Sequence, residues 1–244
     1  MNSCSYKSLK CLCFSNKEGT EEENESIKKV VILLHGYGSD AKDLISIAPS
    51  FKNLENTLFI AANAPYEIEG FVGKQWFSLI TKENDKGGFD VEIASPNEVK
   101  IASALIVKLI NEVKEYHNLE YKDISLLGFS QGGILALYTA LHSDMELDAV
   151  ISHSGVYFGD NEESNYNQRI LMIHGEDDEV LPLERFNLTV EFFKQKNIPF
   201  ESHVEKKLPH SINANTIEIC ENFLLKNNLH TEETGTTETA SEDN

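Results

Sequence analysis

The chain has 244 residues, 41% of them hydrophobic, enough to bury one sizeable core. Its 40 acidic and 21 basic residues leave a formal charge of −19, a balance that repels nucleic acid and anionic membrane surfaces. No apolar run approaches the roughly 20 residues of a membrane span, and residues 1–14 lack the basic and apolar regions of a secretory signal, so a cytoplasmic protein is expected.

Part of the charge is peripheral. Residues 18–25 hold five glutamates, and residues 230–244 hold five acids and no Lys or Arg. The body between them remains acidic, as suits solubility. Of the four cysteines, Cys4, Cys11 and Cys13 crowd the N-terminus, and Cys220 falls late. They form no CxxC pair and have no flanking histidine cluster, so neither a zinc site nor a disulfide framework is expected.

Taken in order, residues 1–26 form a leader of uncertain order, in which 9–14 alternate weakly and could add an edge strand. Residues 30–34 are continuously apolar and read as a strand buried on both faces. His35-Gly36-Tyr37-Gly38 follows as a glycine-rich loop. A helix is predicted over 43–51, a strand over 57–61 and a turn at Asn63-Ala64-Pro65. Residues 66–95 are the least regular part of the body, with four glycines and the aromatics Phe71, Trp76, Phe77 and Phe89. A loop of that length in a compact domain usually carries function or moves. Pro96 suits the first turn of a long helix over 97–116, with Ile101, Ala104, Leu105, Leu109 and Val113 on its apolar stripe. Further strands are predicted over 124–127, 147–152, 170–173 and 200–204, and helices over 131–142, 182–196 and 211–225. The acidic, Thr-rich residues 229–244 read as disordered.

Strands alternating with helices imply an α/β fold around a mainly parallel sheet with helices on both faces. Ligands in such sheets sit at the carboxyl ends of the strands. At one of these ends lies Gly128-Phe129-Ser130-Gln131-Gly132, a G-x-S-x-G pattern between a strand and a helix. A serine there sits on a turn sharp enough to strain its backbone and lift its hydroxyl clear of the sheet. Side chains two residues to either side would collide, which explains the flanking glycines. The following helix start offers free N–H groups to an oxyanion.

Acyl transfer from such a serine needs a base and a group that orients the base. Among the eight histidines, His35, His153, His174 and His210 lie near strand ends. His35 and His174 precede glycines and suit the orientation of loop backbone. His153 is the rival base but suits a core role. His210 lies downstream of both the serine and a set of acids, the chain order this pattern expects. Glu176, Asp177, Asp178 and Glu179 all follow the 170–173 strand, and composition alone does not choose among them.

Several segments together are far more specific than the serine turn: Leu34-His35-Gly36-Tyr37-Gly38, Ala64-Pro65, Gln75-Trp76-Phe77, Gly128 to Gly133, His153-Ser154-Gly155, His174 to Pro182, and His210-Ser211. Through them the chain resembles the phospholipase/carboxylesterase family of α/β-hydrolases over about residues 28–225. It is similar to the acyl-protein thioesterases, and most of all to the small bacterial serine esterases of that group. The resemblance implies an α/β-hydrolase domain over 27–228 without a large cap domain. It implies Asp178 as the triad acid, third after the glycine of His174-Gly175. It also implies an oxyanion hole made by the backbone N–H groups of Tyr37 and Gln131.

The leading expectation is a serine hydrolase of carboxylic esters or thioesters, with Ser130, His210 and Asp178 as triad and no metal or cofactor. Trp76, Phe77 and Leu79 are expected to line the acyl pocket, with Trp76 as a core anchor the competing role. The expected partner is a small-molecule or lipid ester or thioester, with no nucleic acid and no integral membrane association. The family often forms dimers, so the resemblance admits a homodimer. A non-catalytic binder on the same scaffold and a peptidase of the same fold are the alternatives.

Overall fold

The computed structural model describes residues 2–15, 27–83, 89–158 and 167–226. The glutamate run, most of the loop after Tyr157 and the acidic tail lie outside these residues. In chain order the elements are β1 (Asn2–Ser5), β2 (Lys10–Ser15), β3 (Lys29–Leu34), α1 (Ala41–Ile45), β4 (Thr57–Ala62), β5 (Tyr66–Glu67) and β6 (Lys74–Gln75). There follow β7 (Leu79–Glu83), β8 (Phe89–Ile93), α2 (Pro96–His117), β9 (Ile124–Phe129), α3 (Gln131–Leu141) and β10 (Ala149–His153). The chain then forms β11 (Ile170–Gly175), α4 (Leu183–Gln195), β12 (Phe200–Glu205) and α5 (Ala214–Leu225).

Eight strands make one sheet in the order β1-β2-β4-β3-β9-β10-β11-β12. From β4 to β12 all pairs are parallel, while β2 pairs antiparallel with β4, and β1 with β2. The central strands are buried on both faces, and alternate residues feed two separate cores. Val30, Ile32 and Leu34 of β3 pack with α2, α3 and α4, while Val31 and Leu33 pack with α1 and α5. Among the described residues no helix is long and apolar enough to cross a membrane.

Residues 2–15, half of the segment read as a leader, supply two strands of this sheet. β2 is not the edge, because β1 folds back over it. The disulfide expectation is corrected here: Cys4 and Cys13 are bonded, with Cα atoms 5.9 Å apart. Hairpin register brings them together, since Asn2 faces Cys13 and Cys4 faces Cys11, which is information the spacing did not contain. Cys11 and Cys220 are buried and free.

Two other expectations shift. The buried face of α2 is Val99, Ala102, Ser103, Ile106, Leu109, Ile110 and Val113, whereas Ile101 is 45% exposed. Apolar residues run almost continuously through 101–107, so several stripes fit the helical period equally well. α5 starts at Ala214 rather than Ser211, because Asn213 caps it by accepting the Thr216 N–H, with the Thr216 hydroxyl answering the Asn213 N–H. Residues 66–95, expected to be irregular, contain the hairpins β5–β6 and β7–β8, placed between β4 and α2.

At the amino ends of the strands, buried Asp148 accepts from Lys29 Nζ at 2.9 Å, Ser125 Oγ at 3.3 Å and Arg169 Nη2 at 3.4 Å. Arg169 also donates to the carbonyls of Asp148 and Phe223, which ties the sheet to the end of α5. Asp148→Ala should lower unfolding stability by about 2 kcal/mol, since it strands these donors. Urea denaturation measures this, and an unchanged midpoint would show that the cluster does not hold the strand ends together.

Candidate active site

Ser130 sits between β9 and α3 with φ 54° and ψ −117°, a backbone conformation that non-glycine residues rarely adopt. Close packing maintains it. A side chain at Gly128 would overlap the Gly132 carbonyl, and one at Gly132 would overlap the Leu34 carbonyl at the end of β3. The Ser130 N–H is held by the His153 carbonyl at 2.8 Å, and its own carbonyl accepts from Ile134 at 3.0 Å. The turn is therefore fastened to both neighbouring strands.

His210 lies in the loop between β12 and α5, and Asp178 in the turn after β11. The Ser130 hydroxyl stands 2.8 Å from His210 Nε2, and His210 Nδ1 stands 2.7 Å from Asp178 Oδ2. Asp178 Oδ1 accepts the N–H groups of Val180 at 3.0 Å and Leu181 at 2.8 Å. A carboxylate cannot donate, so His210 carries its proton on Nδ1 and offers Nε2 as acceptor to the serine hydroxyl. The two loops are stitched together: the Asp177 N–H donates to the Leu208 carbonyl at 3.0 Å, and the Glu176 N–H to the Glu205 carbonyl at 2.8 Å. The His210 ring rests on Phe129, centroids 5.0 Å apart.

Burial tends to raise the Asp178 pKa, but the His210 hydrogen bond, the Leu181 N–H and the nearby imidazoles of His210 and His174 outweigh it, so it titrates below the usual carboxylate range. Asp178 is thus an anion facing an imidazole, the state needed to steady a positive charge on that ring. Glu176, Asp177 and Glu179, which composition left open, are exposed.

The remaining candidate histidines are buried. Burial, together with His174 and His210, pushes His153 down to about 3, and its side chain makes no hydrogen bond to Ser130. His174 is lowered chiefly by burial and donates from Nε2 to the Leu181 carbonyl at 2.7 Å, with Asp178 Oδ2 at 3.5 Å. His35, also lowered chiefly by burial, donates from Nδ1 to the Gly36 carbonyl at 2.7 Å and accepts the Ala64 N–H at 3.1 Å, which fixes the loop after β3.

That loop meets the serine. A Cβ placed on Gly36 would stand 3.3 Å from Ser130 Cβ. The backbone N–H groups of Tyr37 and Gln131 form no hydrogen bond among the described residues, and both residues border the cavity that opens at Ser130 and His210. No group of three or more His, Cys, Asp or Glu among the described residues is arranged to hold a metal ion.

The cavity has a volume of about 410 Å³. Of the three residues expected in an acyl pocket, Leu79 borders this cavity and Trp76 and Phe77 do not. Both are fully buried in the core. The Trp76 N–H donates to Gln131 Oε1 at 2.8 Å, its indole N–H to the His35 carbonyl at 2.9 Å, and Gln131 Nε2 donates to the Phe77 carbonyl at 2.7 Å. Held inward by these three hydrogen bonds, this segment supports the wall rather than forming it. The wall comes instead from Val91 and Ile93 on β8, Ile134 on α3, and Phe158. The alternation Val91-x-Ile93 was the sequence signal for that strand, but it is short and follows a glycine-rich stretch.

Comparison with known proteins places the chain in a family and a fold. The family described as phospholipase/carboxylesterase matches residues 15–228. The acyl-protein thioesterase 1 homolog 1 of Dictyostelium discoideum is 27% identical over 218 residues, covering 84% of this chain and 93% of that protein. The crystal structure of esterase PE8 superposes with a TM-score of 0.71 at 28% identity, covering 82% of this chain and 92% of that one. The carboxylesterase of Bacillus cereus, 14% identical, shares the fold with a TM-score of 0.72 over 89% of this chain and 94% of its own. The chain belongs to the phospholipase/carboxylesterase family of α/β-hydrolases.

Proposed function

We propose that the protein is a serine hydrolase that cleaves carboxylic esters or thioesters through an acyl-enzyme, with Ser130 as nucleophile, His210 as base and Asp178 as the orienting acid. The observation that carries this reading is the unbroken chain of hydrogen bonds from the Ser130 hydroxyl through both nitrogens of His210 to Asp178. Family membership and the similarity to acyl-protein thioesterases and esterases support the same substrate class.

In this mechanism the acyl carbonyl enters the cavity and the Ser130 oxygen attacks it while His210 Nε2 takes the hydroxyl proton. The carbonyl oxygen gains negative charge and is met by the N–H groups of Tyr37 and Gln131. His210, now cationic, is steadied by the Asp178 carboxylate and returns its proton to the alcohol or thiol leaving group. Water then attacks the acyl-enzyme with the same histidine as base. Leu79, Val91, Ile93 and Phe158 accommodate the acyl group.

Ser130→Ala should reduce p-nitrophenyl butyrate hydrolysis by about 10⁴-fold or more and abolish labelling by a fluorophosphonate probe. Asp178→Asn should cost about 10³–10⁴-fold, because the imidazole tautomer is no longer enforced. Wild-type rates in the Ser130→Ala protein would eliminate the mechanism.

The site also makes stability depend on pH. His153, His174 and His35 have folded pKa values below the roughly 6.5 of an unfolded histidine. The unfolded chain therefore binds more protons, and stability is full above about pH 6.5 and declines as pH falls toward the folded values. His153 alone should cost about 2 kcal/mol at pH 5. Asp178, with its lowered pKa, adds a loss in the same direction at still lower pH. Urea midpoints should fall clearly between pH 7.5 and pH 5, and a flat profile would mean that these imidazoles are protonated in place.

A further inference from the structure

A second cavity, of about 460 Å³, adjoins the one at Ser130. Glu92, Ile93, Ile134 and Phe158 border both, so the two are parts of one groove. The groove follows α3. Ser130 stands at the start of that helix, Ile134 one turn on and Tyr138 two turns on, which at 1.5 Å per residue carries the groove about 12 Å from the nucleophile.

The far part is mostly apolar, with Val99 and Ile134 among its walls, but it also contains Arg185, from the first turn of α4. The sequence holds only two arginines. Arg169 is fully engaged by Asp148 and by two carbonyls. The Arg185 guanidinium, by contrast, has no hydrogen bond or ion pair among the described residues, although the residue is only partly exposed. Glu92, the acid bordering the groove, is paired with Lys82 on the β7–β8 hairpin. A partly buried cation bordering a mostly apolar groove, on a chain of charge −19, thus has no acceptor among the described residues. A guanidinium meets that need best with a carboxylate or phosphate, which it can bind through two parallel hydrogen bonds.

We propose that Arg185 is a specificity-determining residue that receives an anionic group, carboxylate or phosphate, carried by the substrate into the far part of the groove, which extends about 12 Å along α3 from Ser130. The inference rests on ester or thioester hydrolysis at Ser130. Such a group has two sources: the far end of a dicarboxylic acyl chain of about eight carbons, or a phosphate on the alcohol.

Two substrate pairs distinguish them. On the acyl side, the p-nitrophenyl monoester of octanedioic acid is compared with p-nitrophenyl octanoate. On the alcohol side, the butyrate ester of ω-hydroxyoctyl phosphate is compared with octyl butyrate. The ratio of kcat/KM, anionic over neutral, is measured for the wild type, Arg185→Gln and Arg185→Glu. In one of the pairs the ratio should fall about tenfold in Arg185→Gln and further in Arg185→Glu, and that pair identifies the source. The neutral substrate of each pair is the internal reference for folding and chemistry. Hydrolysis with ratios unaltered in both pairs overturns the role of Arg185 and leaves the mechanism at Ser130 standing. Absence of hydrolysis for all four, with no fluorophosphonate labelling, overturns both.

Discussion

The site depends on one backbone contact, the closure of Gly132 against the Leu34 carbonyl. Without a side chain, α3 can begin directly over the end of β3, and Ser130 is forced into its left-handed conformation between them. Such a residue costs about 1–3 kcal/mol and persists only where its surroundings over-determine it. Here they do: Gly128 fits beneath the Gly132 carbonyl, His153 holds the Ser130 N–H, and the apolar strands on either side are buried on both faces. The same contact brings the loop after β3 to the serine. The proposed nucleophile and the proposed oxyanion donors are thus consequences of one packing decision.

A second constraint lies on the other side of the serine. The loops carrying Asp178 and His210 are separated by 32 residues, yet backbone hydrogen bonds join them where β11 and β12 end in register. Parallel pairing of adjacent strands places both loops at the same rim, so a triad drawn from distant positions needs no special folding device. Electrostatics then sorts the imidazoles. His35, His153 and His174 lack solvent and stay neutral, so the partial charges around Asp178 are dipoles rather than competing cations.

The parts legible in the sequence are those where local chemistry and the global fold demand the same residues. The double-faced strands announce themselves as unbroken apolar runs, and the serine turn by two glycines that steric overlap makes obligatory. The chain order of serine, acid and histidine separates His210 from its rivals, and a family pattern was needed to select Asp178 among four neighbouring acids. Less legible was whatever depends on register. The Cys4–Cys13 bond joins diagonal neighbours of a hairpin, a relation that depends on its register. The buried face of α2 follows from a rotation that its nearly all-apolar stretch leaves open. Trp76 and Phe77, large and next to a glycine-rich loop, looked like pocket wall but are drawn inward by polar partners that sequence cannot show.

Gln131 explains why that inward pull matters. The residue after the serine borders the cavity, while its side chain, 1% exposed, holds the backbone of Trp76 on one side and Phe77 on the other. Leu79 and the hairpin that follows hang from this anchored segment, and the hairpin supplies much of the apolar wall. A shift of the wall must therefore pull on the first residue of α3, whose position sets the proposed oxyanion donor. Breaking the link would leave buried amide groups unpaired at a cost of about 1–3 kcal/mol each. The proposed acyl-binding wall and the proposed reacting centre are in this way one mechanical unit, although the hairpin itself is built from short strands at the surface.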